Sequence, residues 1–399
     1  MKIALLIESL SIKGGTQHQL LELARHLKLK GHKITIYTQV LNSSRCYPDL
    51  LSDLKVVFLR KPLPWSFPRT KFKLIKVVRY FINFLKSSIN ALRLVFLIDK
   101  DSDIINPHLM GVLETTWVFK LLHPKVKISW FCNEIPIGET NYLESQNINL
   151  TKVLKKLRCQ FEIILYKFLL KKVDTIAVND NRNKHLLKEI FNKKAVNVGT
   201  GVDINKFHPL QSIRNRNNLK ILSVGVLFPY RRYEDLISAV GMVLKRNFNI
   251  SVTIVGNPIL YPAYAQRLHF LVKRKRLIDY IQFIDSVNEQ KIIELYQGHD
   301  IFIWPCDRNT YGLAVIEAMA CGLPVIVSNT TGVAEILEEN KTALIIPPQR
   351  PDLLADKIIF LINNPEKRIK IGKNAREFVE NNLTWENFTT KMEKLFLSS

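Results

Sequence analysis

Apolar runs of strand length alternate with longer amphipathic stretches along the whole chain, which predicts βα units laid on parallel sheets. In the first half the strand-like runs are Ile3–Ile7, Lys33–Thr38, Val56–Leu59, Ile104–Asn106, Lys127–Phe131 and Thr175–Val178. In the second half they are Lys220–Val224, Ser251–Val255, Ile281–Ile284, Ile301–Trp304, Pro324–Val327 and Ala343–Ile346. The same order of elements therefore occurs twice. Helices are expected from Gln17 to Lys30, from Glu234 onward, through Ala314 to Ala320, and from Trp385 to Phe396, the last packing back on the first half.

Between the halves, Gly199-Thr200-Gly201-Val202-Asp203 and Phe207-His208-Pro209 lead into the polar, unpatterned stretch Gln211 to Asn218, which marks a boundary. The expected fold is α/β, with two Rossmann-like domains: residues 1–203, completed by 383–399, and residues 204–382. A length of 399 residues suits two such cores.

Composition adds a partner class rather than a fold. Lys and Arg number 58 against 35 Asp and Glu, and the formal charge of +23 calls for something anionic: nucleic acid, anionic lipid or a phosphorylated substrate. The five cysteines, Cys46, Cys132, Cys159, Cys306 and Cys321, are odd in number and scattered, with no zinc-ligand spacing, so a reducing compartment and no structural metal are expected. The opening MKIALLIESL has an apolar core like a signal peptide's, but Glu8 interrupts it and a glycine loop follows, as after a first strand. No window reaches the ~18 uncharged apolar residues of a membrane span. The expected location is cytoplasmic, either soluble or peripheral on the inner membrane face.

Three stretches carry candidate chemistry. After the first strand, Lys13-Gly14-Gly15-Thr16 opens a helix, where small residues let backbone N–H groups approach a phosphate; a tight structural turn explains the glycines equally. After the first strand of the second half, Val224-Gly225-Val226 leads to Arg231 and Arg232, a pair suited to a diphosphate or simply exposed surface charge. After Ile301–Trp304 comes Asn309-Thr310-Tyr311-Gly312-Leu313, then a helix carrying Glu317 among apolar neighbours, then Gly322 and Pro324. A buried carboxylate needs partners. Sugar hydroxyls would satisfy Glu317, as would backbone groups or an arginine.

Together these residues resemble the retaining GT-B family of nucleotide-sugar glycosyltransferases, the group 1 or family 4 type. The resemblance runs over nearly the whole chain and is most specific from Tyr311 to Pro324. It implies two domains facing a central cleft, the second holding a nucleoside diphosphate sugar and the first an acceptor, with no cofactor and no metal. By position, Glu317 would bind the donor's ribose hydroxyls, and Arg231 would neutralise the diphosphate. Gly15, beside Gly14, and the N–H groups at Gly312-Leu313 would cradle phosphate or sugar, and His108, in Ile104-Ile105-Asn106-Pro107-His108, would lie beside the transferred sugar.

Asn309 stands where the family has the first glutamate of its pair, and Val226 where it has an arginine; Arg232 takes the place of a small residue and is a candidate replacement cation. The implied activity is hexosyl transfer from a UDP- or GDP-sugar, with retention of configuration, to a saccharide or lipid-linked saccharide in cell-surface polysaccharide or glycoconjugate synthesis. A catalytically silent scaffold of the same fold is the alternative.

From Arg69 to Ile98, Lys73, Lys76, Arg79, Lys86 and Arg93 recur three or more residues apart among apolar positions, and a second basic region runs from Lys152 to Lys172. Such helices suit an anionic membrane surface or a solvated face. The aromatic residues fall on the apolar side, which argues against nucleic acid. A nicotinamide-dependent oxidoreductase would need an acid closing strand two, where this chain has Tyr37-Thr38-Gln39.

Overall fold

The computed structural model describes residues 1–63, 73–133, 135, 150–210, 218–259, 261–308 and 311–398, with backbone alone for 73–81, 84 and 150–158. The polar segment 211–217 and Arg69 to Lys71 therefore lie outside the described residues. The chain divides into two compact units, Met1–Thr200 with Trp385–Ser399, and Gly201–Thr384.

In the first unit, β1 (Lys2–Leu10), α1 (Gly15–Leu29), β2 (Lys33–Leu41), α2 (Pro48–Leu51), β3 (Val56–Phe58) and α3 (Lys73–Val95) come first. There follow β4 (Ile104–Pro107), α4 (Leu113–Leu122), β5 (Lys127–Cys132), α5 (Leu150–Leu169), β6 (Thr175–Val178), α6 (Asn181–Phe191) and the short β7 (Val196–Asn197). The seven strands are parallel in the order β3-β2-β1-β4-β5-β6-β7. A parallel sheet is covered on both faces, which is why β1 reads as a continuous apolar run rather than an alternation. Leu5 and Ile7 pack with Leu20 and Leu27 of α1, whereas Ala4 and Leu6 pack with Leu94 of α3 and Phe119 of α4.

The second unit runs β8 (Leu219–Val224), α7 (Tyr233–Lys245), β9 (Ile250–Val255), α8 (Pro262–Arg274), β10 (Ile281–Ile284), α9 (Glu289–Gly298) and β11 (Ile301–Trp304). It continues through α10 (Leu313–Ala320), β12 (Val325–Ser328), β13 (Leu344–Ile346), α11 (Pro351–Asn363) and α12 (Pro365–Asn382). Its sheet is also parallel, ordered β10-β9-β8-β11-β12-β13.

The last helix, α13 (Trp385–Leu397), belongs to the first unit. Its Trp385, Phe388 and Met392 enter the core around α1, and Glu393 accepts from Lys30 Nζ at 2.8 Å and pairs with His32 Nε2 at 2.7 Å. The units part between Thr200 and Gly201 and again between Thr384 and Trp385, a few residues from the expected 203/204 and 382/383. The shift has a local cause: Val202 N–H donates to the Leu383 carbonyl at 2.8 Å and Val202 bridges Thr384, so both crossing segments pair with each other inside the second unit.

In each sheet the strand order reverses once, at β1/β4 and at β8/β11. In open α/β sheets such reversals open a crevice at the carboxyl ends of the strands. Every stretch singled out for chemistry follows one of these four strands.

Candidate functional site

In the second unit, β8 ends at Val224, and the chain passes Gly225 to a short 3-10 turn, Pro229–Arg231, before α7. Across the reversal, β11 ends at Trp304, whose ring fills the space beside Gly225: a Cβ there would stand 3.2 Å from the ring and 3.2 Å from the Tyr233 hydroxyl. Arg231 lies on that floor, its guanidinium carbon 4.1 Å from the Trp304 ring centroid and 5.2 Å from that of Tyr230. Cation–π stacking of this kind holds a guanidinium in place while its edge remains able to bind an anion.

Arg232 behaves differently. It sits in left-handed backbone (φ 54°) as the residue before α7, and its fork is engaged by Asp235, with Nε to Oδ2 at 2.9 Å and an Nη to Oδ1 at 2.8 Å. Glu234 Oε1 is 3.2 Å from it. Burial opposes its charge, but Asp235 and Glu234 outweigh burial and raise its pKa. The geometry thus gives Arg232 to its own helix, and the role of replacement cation for Val226 is not the one this arrangement supports.

Helix α10 starts at Gly312, where φ is +96° and a Cβ would lie 3.2 Å from Val333 Cγ1. Only glycine takes that backbone without strain. The first intrahelical bond is Val315 N–H to the Gly312 carbonyl at 2.9 Å, so the N–H groups of Leu313 and Ala314 have no helical acceptor. Tyr311 is half-buried against the same core, and its carbonyl accepts from Val333 N–H at 2.9 Å.

Glu317, one turn on, is half-buried, and its Oε2 accepts from the Tyr296 hydroxyl at 2.8 Å. Tyr296 is fully buried on α9; burial first, and then the Glu317 charge, push its phenol well above the ordinary range. The phenol therefore remains a donor and fixes one carboxylate oxygen. Asn309 and Thr310 lie outside the described residues.

In the first unit, α1 is capped by Gly14 without a side-chain cap, and its first intrahelical bond is His18 N–H to the Gly14 carbonyl at 3.0 Å. The N–H groups of Gly15, Thr16 and Gln17 consequently face the end of the helix, the arrangement that suits an anion. Gly14 has an extended backbone (φ −139°), and a Cβ on it would meet only the mobile end of Gln17, so neither backbone angle nor close packing demands glycine there. Tyr47 steadies the loop, its hydroxyl donating to the Gly14 carbonyl at 3.3 Å.

His108, after β4, has no exposed surface. Its ring stacks on Phe131 at 5.0 Å, Nε2 lies 2.9 Å from Asn106 Oδ1, and Nδ1 is buried without a partner. Burial lowers its pKa to about 3, so the imidazole is neutral. The residue expected beside a sugar is thus enclosed, a support under the loop rather than part of an open surface. On the opposite face of the sheet, Glu8 lies against Gly111; burial first, and then Glu114, raise its pKa.

Residues 206–378 match the family described as glycosyl transferases group 1. The second unit belongs to the group 1 glycosyl transferases. The chain is 29% identical over 175 residues to a D-inositol 3-phosphate glycosyltransferase of Corynebacterium efficiens, covering 43% of this chain and 41% of that protein. It is 25% identical over 207 residues to a GDP-mannose-dependent alpha-(1-6)-phosphatidylinositol monomannoside mannosyltransferase of Mycobacterium tuberculosis, covering 48% and 53%. The chain thus spans about half the length of the curated relatives it matches.

Over its full length, the fold is that of Anabaena HepE solved in complex with UDP and glucose, with a TM-score of 0.78, 16% identity and 100% of both chains covered. This is the GT-B class, two parallel-sheet Rossmann-like domains. In the group 1 unit, sequence reasoning singled out Arg231, Gly312, Leu313 and Glu317 but missed Trp304 and Tyr296. Trp304 closes an apolar strand and Tyr296 sits on a helix before it, and nothing in their spacing signals that one supports Arg231 and the other holds Glu317.

Proposed function

We propose that the protein is a glycosyltransferase that moves a hexose from a nucleoside diphosphate sugar to a saccharide or lipid-linked saccharide, retaining the anomeric configuration. One observation carries this: at the β8/β11 reversal of a group 1 unit, a guanidinium fixed on Trp304, the unpaired N–H groups that open α10 and a Tyr296-oriented carboxylate are all present. The names of the mannosyltransferase relative and of the UDP- and glucose-bound HepE structure support GDP- or UDP-sugars as donors.

In this reading Glu317 accepts hydrogen bonds from the ribose hydroxyls, and Arg231 with the α10 N–H groups stabilises the departing diphosphate. The bond from the anomeric carbon to the phosphate oxygen breaks. The acceptor oxygen attaches on the same face, and its proton passes to the leaving phosphate. The first unit, with its Gly14-Gly15 helix start, takes the acceptor. No side-chain nucleophile enters this scheme.

A panel of UDP-, GDP- and ADP-sugars, assayed for transfer or hydrolysis and for binding, tests the proposal. Activity is expected with at least one donor and falls by at least about 100-fold in Glu317→Ala and in Arg231→Ala, since a transition-state charge contact is commonly worth that much. Absence of both binding and turnover across the panel refutes it. Binding without turnover instead favours the silent scaffold, which Asn309 in place of an acid and Val226 in place of an arginine make a concrete alternative.

A further inference from the structure

The donor site just described has one assigned cation, Arg231, for a diphosphate that carries at least two negative charges. Arg232 is tied to Asp235 and Glu234, and Asp307 adds to the negative field around it. Asp307 itself accepts from Gln349 Nε2 at 2.9 Å.

A second guanidinium approaches from the other side of the strand reversal. Arg308, in the segment between β11 and α10, has its guanidinium carbon 5.2 Å from the Tyr230 ring centroid, the same distance as Arg231 from the same ring. The two carbons are therefore at most twice that distance apart, within the reach of one diphosphate that contacts both. Tyr230 is held from several directions: its ring stacks on Phe228 at 5.4 Å, and its carbonyl accepts from Asp307 N–H at 2.9 Å, which joins the two loops. Cys306, fully buried, links them again, with Sγ donating to the Arg308 carbonyl at 3.4 Å and lying 3.9 Å from an Arg231 Nη.

Two guanidinium groups held at one aromatic ring can both reach a single diphosphate, and charge-assisted hydrogen bonds from planar forks are the strong ones. The open N–H groups of α10 begin only five residues after Arg308, at Leu313.

We propose that Arg308 is a diphosphate-binding residue of the donor site, supplying with Arg231 the second positive charge that neither Val226 nor Arg232 provides. The assignment rests on the donor-binding reading above, but it is separable from it. The sequence alone conceals it, because Arg308 lies in the loop before the motif and only folding brings it to Tyr230.

The test is calorimetric titration of the full chain with UDP, GDP and ADP, and with the nucleoside matching the one bound most tightly. Arg308→Ala is expected to weaken the nucleoside diphosphate by about 10- to 100-fold, the effect of losing hydrogen bonds to a charged group. It leaves the nucleoside unchanged and makes diphosphate binding less sensitive to salt. Arg308→Lys, which keeps the charge but not the planar fork, recovers part of the affinity. Equal weakening of nucleoside and diphosphate would show a structural role and overturn the assignment, as would unchanged diphosphate binding in Arg308→Ala. If the unsubstituted protein binds none of the three diphosphates, the donor-binding reading fails first and this one with it.

Discussion

His108 shows what burial does to a residue that a motif marks for chemistry. The imidazole carries a proton only at about pH 3 and below in the folded chain, because burial disfavours the charged form, whereas in the unfolded chain it titrates near 6.5. With the folded pKa depressed, its contribution to stability is complete above about pH 6.5 and is lost as pH falls from there towards about 3. The slope attributable to it is at most about 1.4 kcal/mol per pH unit. Denaturant unfolding of the wild type and of His108→Gln between pH 7 and pH 4 checks this. The variant is expected to show a shallower loss, and parallel curves would contradict it. Glu317 gives the opposite lesson. Its place on an apolar helix was a sequence signal for a partnered carboxylate, and the structure sets the Tyr296 hydroxyl on it while leaving the side chain partly accessible.

Among the elements, α10 depends most on a single residue. Its eight residues start from a backbone conformation that an L side chain rarely adopts, and Val333 and Val315 crowd the position where a Cβ would stand. Gly312→Ala should cost about 1–2 kcal/mol from backbone strain alone, with more from the Val333 contact, read as a lowered urea midpoint at unchanged slope. An unaltered midpoint would mean that the loop before α10 relaxes freely.

Strands buried on both faces were legible because covering a parallel sheet requires unbroken apolar runs, as in Leu5-Leu6-Ile7 and Ile301–Trp304. The two-residue β7 was not, since Val196 and Asn197 are partly exposed at the sheet edge and carry no apolar run.

For the molecule as a whole, the charge is unevenly divided. The first unit holds 35 Lys and Arg against 17 Asp and Glu, so +18 of the total +23 lies there and the group 1 unit is close to balance. An excess of that size is expected to draw the first unit to an anionic membrane surface. Among the described residues no helix is long and apolar enough to cross a membrane. Sedimentation with vesicles rich in phosphatidylglycerol is expected to carry the protein down at low salt and to release it as salt rises. Reversing Lys76, Arg79 and Lys86 to Glu should abolish it. Equal sedimentation with neutral vesicles would contradict an electrostatic attachment.

Hydrophobic periodicity and punctuation by themselves determined the two-fold βα order, the place of nearly every buried strand and the helix start at Gly312, because these follow from burial and backbone sterics acting over a few neighbouring residues. The motif from Tyr311 to Pro324 likewise named the family of the second unit. Tertiary structure alone decided which charges are available. It closed Arg232 onto Asp235, enclosed His108 against Phe131, set Tyr296 on Glu317 and brought Arg308 to the ring beside Arg231. Electrostatic partnership depends on distances across loops that are far apart in the chain, and no local pattern of residues encodes those.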